Sequence, residues 1–346
     1  LQAPVGRDPT RISERLWALH VDPVKEAAEH YGAIMDYVAA VLKARGLSEV
    51  LAYEVASLPG MTGVAAILKL DSIVREDSYD VVVIDTVPSG EALKYLYVPT
   101  FIGRISRRLM RVASPLLDLG RVVEPLIGIP TPPGEVLDKE VEILDRMDRL
   151  RGYLLDHDVT SIRLIANPDS FSIGNIKRAY MQASIYGLNT DLVIVNKVMP
   201  REAASGYMRA WVEEQEKLLE DIRRSFSPLP VKMLRLFESE LKGLEMLRRA
   251  ADELFGDEDP TTVYYRGRGV RVESVPGGVE IIYPMPYVSK GQVEVERVGD
   301  ELLVHIQTDM GKVSLVIPLP AITYRMRVES ARLLSGELHL RFVEEG

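Results

Sequence analysis

The run Val81-Val82-Val83-Ile84-Asp85-Thr86-Val87-Pro88-Ser89-Gly90 concentrates the residue types that bind a phosphate or a hard cation. Four β-branched residues end on a carboxylate, and hydroxyls, a proline and a glycine follow it. An uninterrupted β-branched run reads as a strand buried on both faces of a parallel sheet. Asp85 is then expected at the carboxyl end of that strand, where open α/β sheets bind ligands. A carboxylate there suits Mg2+, which takes hard oxygen donors and keeps waters and phosphates in its shell. Thr86, Pro88, Ser89 and Gly90 could offer hydroxyls and backbone amides to a phosphate, with a bend that is able to switch. The same residues also fit a plainer arrangement, in which Asp85 ends a strand and caps the next helix.

The elements that must position these groups are legible from periodicity. Ser161 to Ala166 and Asp191 to Val195 repeat the strand pattern, and helical spacing over 172–187 joins them into a βαβ unit. Val231 to Leu236 is a shorter strand entered through Pro228-Leu229-Pro230. The spacing predicts a helix over 202–225 with a charged face opposite Trp211, Leu218, Leu219 and Ile222. Two helices are expected over 14–56, with a turn near Gly46-Leu47-Ser48. After the acidic segment Gly256-Asp257-Glu258-Asp259-Pro260 the pattern becomes alternating, in runs such as Val270 to Val275, Gln292 to Val298, Leu302 to Ile306 and Val313 to Ile317. That is the signature of a small antiparallel sandwich. The fold class is therefore α/β with a mostly parallel sheet over residues 1–258, followed by an all-β sandwich over 262–346.

Composition narrows the chemistry. A length of 346 residues fits about two domains. With 47% hydrophobic and 27% charged residues, wholesale disorder is excluded. The net charge of −9 argues against nucleic acid as a partner. There is no cysteine, which removes disulfides, thiolate-bound zinc, iron–sulfur clusters and thiol nucleophiles. His20, His30, His157, His305 and His339 are scattered without metal-ligand spacing and are read as structural. No apolar run reaches the ~18 residues of a membrane span and no signal-peptide pattern opens the chain, so a cytoplasmic location is expected. The phosphate-cradling motif Gly-x-x-x-x-Gly-Lys-Ser/Thr is absent, and Gly311-Lys312 reads as a hairpin turn.

Asp85-Thr86-Val87-Pro88-Ser89-Gly90-Glu91-Ala92-Leu93-Lys94 resembles the Asp-Thr-Ala-Pro-Thr-Gly-His-Thr-Leu-Arg segment of the ArsA-type ATPases, the arsenical pump-driving and tail-anchored-protein targeting branch of the P-loop proteins. Leu58-Pro59-Gly60-Met61 is similar to the segment ahead of that strand. Arg163 to Pro200 resembles the long block ending in Tyr-Gly-x-x-x-Asp-x-Val-x-Val-Asn-Arg-x-x-Pro, and Leu236 to Leu244 resembles Leu-Phe-x-x-Glu-Val-x-Gly-Leu. The C-terminal region is similar to the α-crystallin-like fold of small heat-shock proteins, on Asp300 to Val304 and Ala331 to Leu340.

The resemblance implies a fold, two cofactors and a set of residues. ATP and Mg2+ are the implied cofactors. Asp85 matches the catalytic acid that faces Mg2+ and the γ-phosphate, and Thr86, Pro88, Ser89 and Gly90 match the loop that senses that phosphate. Asn196 matches an adenine-contacting asparagine, Lys197 stands where an arginine is usual, and Leu236 and Phe237 lie where the family closes over the base. A post-strand turn for Asn196 and a packing role for Phe237 stay open beside these. Glu91 replaces a family histidine. The absence of cysteine removes a thiolate arsenic site and a Cys-x-x-Cys zinc clamp, so the implied homodimer must close through other contacts. The apolar and basic segment from Phe101 to Ile129 falls where the family holds client transmembrane segments, with a layer of ordinary core as the alternative. The implied function is ATP binding and hydrolysis coupled to handling of a hydrophobic client segment or a membrane-protein partner. A non-catalytic chaperone or interaction module is the alternative. Because the family's phosphate loop precedes the matched segments and the chain opens in loop-like Leu1-Gln2-Ala3-Pro4, a fragment of a longer ATPase is expected, inactive by itself, with a natural product that has lost its nucleotide site as the alternative.

Overall fold

The computed structural model describes residues 1–22, 25–26, 36, 43, 59–86, 93, 96–97, 99, 134–308 and 311–344. They fall in two compact units, Leu1–Val87 with Lys94–Tyr153 and Pro88–Leu93 with Leu154–Gly346.

In the first unit, β1 (Thr10–Ser13) and β2 (Leu16–Ala18) form a hairpin in which Arg11 lies opposite Trp17. The expected helix does not begin at residue 14. The Arg11 guanidinium sits 5.9 Å from the centroid of the Trp17 ring, and Trp17 meets Tyr79 edge-on, so cross-strand contacts outweigh the helical spacing. Residues 25, 26, 36 and 43 are helical, and the rest of 27–56 lies outside the described residues. Helix α1 (Pro59–Arg75) starts on a proline, whose missing N–H costs nothing at a first helical position. Asp71 of α1 is fully buried and accepts from Arg146 Nε at 3.0 Å and from Arg149 Nη2 at 3.3 Å, both on α2 (Gly134–Leu155). A buried carboxylate persists only when paired and hydrogen-bonded, so this cluster fixes α1 against α2.

The run 81–86 is not a strand. Its residues are exposed, Val83 to 87%. A buried strand needs ladder partners, and among the described residues none pairs with it.

The second unit contains the parallel sheet, ordered β3-β4-β5 from β3 (Ile162–Ala166), β4 (Thr190–Val198) and β5 (Val231–Arg235). Helix α3 (Ser170–Tyr186) connects β3 to β4. Asp169 caps it by accepting from Ser172 N at 2.8 Å, and Gly187 ends it with φ 78°. The predicted helix over 202–225 is two 3-10 turns, Arg201–Ala203 and Gly206–Met208, followed by α4 (Arg209–Phe226). Its buried stripe is Val212, Gln215, Leu219, Ile222 and Phe226, while Trp211 points to solvent. Helix α5 (Gly243–Phe255) lies against β5. This bears out the α/β reading with a parallel sheet.

The segment between the acidic run and the sandwich is strapped to the amino ends of these strands. Asn189 donates to the Tyr265 carbonyl and accepts from Gly267 N, each at 3.0 Å, while buried Asp191 accepts from Tyr264 N at 3.2 Å. Phe255 stacks on Tyr264, with Arg163 and Lys232 over both rings.

The all-β part is also borne out. One sheet runs β10-β9-β8 and the other β11-β12-β7-β6. The strands are β6 (Arg271–Val275), β7 (Gly278–Pro284), β8 (Val293–Val298), β9 (Glu301–Thr308), β10 (Gly311–Pro318), β11 (Met326–Leu334) and β12 (Glu337–Glu344). Leu302, Val304 and Ile306 of β9, with Leu338, Leu340 and Phe342 of β12, alternate inward as a two-residue period demands. Gly311 pairs with Thr308 and Lys312 with Gln307, so Gly311-Lys312 opens strand β10 and is not the hairpin turn expected, because both residues are taken into the ladder. The sandwich meets the helices through Tyr287, whose ring lies 5.7 Å from Phe226 and 6.0 Å from Tyr180.

Candidate functional site at the carboxyl edge of the parallel sheet

Parallel strands end on one edge, and the ends of β4 and β5 carry Asn196-Lys197 and Leu236-Phe237. Register makes this edge unusual. Val195 pairs with Met233 and Val198 with Arg235, so β4 spends one residue more than β5 across the same span. The extra residue makes a bulge, a device that re-aims side chains and is common beside active sites. Lys197 adopts φ 58°, a left-handed conformation uncommon outside glycine. The Asn196 Oδ1 accepts from Lys197 N at 2.9 Å, which holds the amide close to the bulged backbone. Asn196 is half-buried and Lys197 exposed.

Leu236 N donates to the Val198 carbonyl at 2.8 Å, which brings Leu236 beside the bulge. Leu236 is 45% exposed and Phe237 only 8%. Phe237 packs with Leu234 and Ala250, and the Arg235 and Arg249 guanidiniums lie 5.1 and 5.3 Å from its ring centroid. Glu238 is held below the usual glutamate range, first by a hydrogen bond to its own backbone and then by Arg235 and Arg249. Among the described residues, then, the ends of β4 and β5 offer the Asn196 amide, the Lys197 ammonium and the exposed Leu236 side chain, with Phe237 packed behind them.

Asp85 and Thr86 belong to the first unit, where both are exposed at the end of the apolar run. Pro88, Ser89, Gly90 and the segment from Phe101 to Ile129 lie outside the described residues. No group of three or more metal-ligating side chains occurs among the described residues. Mg2+ does not require one, since a single carboxylate with waters and phosphates completes its octahedron. An exposed Asp85 carboxylate fits that donor set.

Sequence reasoning missed Gln215. It is 3% exposed on the apolar stripe of α4, accepting from Met199 N at 2.8 Å and donating to Met199 O at 3.1 Å. The available signal was a polar residue at helical spacing between Val212 and Leu219.

Residues 1–256 match the family model described as anion-transporting ATPase, and residues 276–342 match an HSP20-like domain found in ArsA. An arsenical pump-driving ATPase of Chlorobaculum tepidum is 28% identical over 346 residues, covering 98% of this chain and 84% of that protein. The protein named arsenical pump-driving ATPase 1 of Aquifex aeolicus is 29% identical over 341 residues, 95% of this chain and 84% of its own length. The ATPase get3 of Sclerotinia sclerotiorum is 23% identical over 249 residues, 70% of this chain and 72% of that one. With a family match spanning residues 1–256, the chain belongs to the anion-transporting ATPase family and carries an HSP20-like sandwich behind the ATPase domain.

Proposed function

We propose that this chain supplies the base-binding and Mg2+-binding parts of an ATPase that couples ATP binding and hydrolysis to movement of a surface that holds a hydrophobic client segment or a membrane-protein partner, acting in the cytoplasm as a homodimer. The ATPase part is assigned to residues 1–258 and the sandwich to 262–346. Among the described residues no helix is long and apolar enough to cross a membrane, which is compatible with this location. The observation that carries the reading is the bulge at Asn196-Lys197 beside exposed Leu236. An asparagine amide pairs a donor with an acceptor, the combination that the edge of adenine presents in reverse. Asn196 is assigned to that edge, Lys197 to an anionic part of the nucleotide and Leu236 to a face of the base. Phe237 is assigned to closing the same site by holding Leu236 in place.

Asp85 is assigned to Mg2+, with Thr86, Pro88, Ser89 and Gly90 reporting the γ-phosphate. Bound Mg2+ neutralises charge on the phosphates. The exposed Asp85 carboxylate would hold it, and the hydroxyls of Thr86 and Ser89 would orient phosphate oxygens. Population of two states by nucleotide then requires differential contacts from this loop. With no cysteine, metalloid handling through thiolates is not part of the proposal.

The test is photo-labelling with an azido-adenine nucleotide and Mg2+ at millimolar concentration. Label in the peptides containing Asn196-Lys197 and Leu236, competed by ATP, is expected. Competed label confined to other peptides refutes the assignment. Calorimetric titration of Mg-ATP into the 346-residue chain should give weak binding and no turnover, because its sequence lacks Gly-x-x-x-x-Gly-Lys-Ser/Thr. Tight binding with turnover would overturn that expectation. Capture of a hydrophobic peptide with no response to nucleotide would favour a non-catalytic chaperone instead.

A further inference from the structure

We infer that Gln215 is a positioning residue for nucleotide, fixing the loop that carries Asn196 and Lys197; this rests on the base site proposed above. The ladder of β4 stops at Val198, whose carbonyl takes Leu236 N. Met199 comes next and precedes Pro200, which disfavours the helical region for Met199. With β4 ended, no strand among the described residues pairs with Met199, so its N–H and C=O need partners elsewhere. Gln215 supplies both at once, accepting from the N–H at 2.8 Å and donating to the carbonyl at 3.1 Å.

Nothing about α4 itself calls for glutamine at this position. Val212, Leu219, Ile222 and Phe226 make the rest of the stripe, and an aliphatic residue would pack there equally well. A side-chain amide is the group that presents one donor and one acceptor in the geometry of a peptide unit. By clamping Met199 it fixes the chain two residues beyond Lys197, which keeps φ 58° at the bulge and the Asn196 amide turned in one direction. Without the clamp the bulge can relax and Asn196 samples other orientations. Gln215 therefore acts on nucleotide through Asn196 and Lys197.

The experiment uses Gln215→Met in the full chain, close in volume but without the hydrogen-bonding pair. Amide hydrogen exchange read by NMR should quicken at Lys197 to Met199 by about 2- to 10-fold, the loss expected for one hydrogen bond. Protection in β3 and β5 should stay unchanged. Azido-adenine labelling of the Asn196-Lys197 peptide should fall in step. Unchanged exchange at Met199, or faster exchange with undiminished labelling, overturns the inference. If the wild-type chain is never labelled at Asn196-Lys197, the base site itself fails, and the exchange data separate that outcome from a failure of the clamp. Should Gln215→Met not fold, Gln215→Glu keeps an acceptor for Met199 N–H and lacks the donor for Met199 O. Reduced labelling with Met199 N–H still protected supports the inference, and full labelling overturns it.

Discussion

Replacing Tyr287 separates three contributions to the seat of the sandwich on α3 and α4. Its hydroxyl donates to the Ser225 carbonyl at 3.0 Å, and burial pushes the phenol up from its ordinary value. Its ring meets Phe226 and Tyr180, and Lys177 Nζ lies 5.9 Å from its centroid. Its φ is 67°, a conformation that strains any residue with a Cβ. Tyr287→Phe loses the hydrogen bond alone, about 1 kcal/mol. Tyr287→Ala also loses two aromatic pairs and the cation contact, for about 3 kcal/mol. Tyr287→Gly loses the same contacts yet relieves the left-handed strain, worth about 1 kcal/mol, so it should stand above alanine. Urea titration of the full chain, followed by tyrosine and tryptophan fluorescence, should rank the midpoints wild type, Phe, Gly, Ala. A glycine variant at or below alanine would refute the argument from φ. A phenylalanine variant as weak as alanine would show that the rings contribute nothing.

Three further outcomes follow from separate sites. Asp71→Ala leaves the Arg146 guanidinium buried without its carboxylate and should cost about 3–5 kcal/mol in a urea melt, most of it recovered by the paired change Asp71→Leu with Arg146→Met. Asn189→Ala removes both bonds to Tyr265 and Gly267 at about 1–3 kcal/mol, so limited proteolysis should cut more readily between Thr261 and Gly267 than in wild type. The bidentate Arg271 guanidinium holds Glu337 below the ordinary glutamate value of about 4.3. A depressed folded value gives stability that is present above the ordinary value and lost as pH falls through the folded one. Glu337→Gln should therefore be less stable than wild type at neutral pH, and thermal melts should show the gap closing on acidification below about pH 4.

How much was legible depended on whether the signal was local. The period-two alternation of β8, β9 and β10 and the apolar runs of β3 and β4 are properties of short segments, so strand type followed from residue order. Strand β7, Gly278–Pro284, went unread because Ile281-Ile282-Tyr283 breaks the alternation while the strand lies between β12 and β6. The run 81–86 failed in the opposite sense. Its composition asks for a sheet interior, but composition cannot supply the neighbouring strands that a ladder needs. Trp211 was read as buried because helical spacing fixes a stripe only to within a residue or so. Packing chose Val212 and Gln215 instead.

By itself the sequence determined the two element classes, the absence of thiol chemistry and the order of motifs that resembles a family, since each depends on residue types along the chain. Only the tertiary structure decided that β4 runs one residue ahead of β5, that Leu236 faces solvent while Phe237 is packed, and that Gln215 reaches back to Met199. Register and backbone hydrogen-bond partners are relations between residues distant in the chain. They are set when strands and helices meet, and no pattern within one segment encodes them.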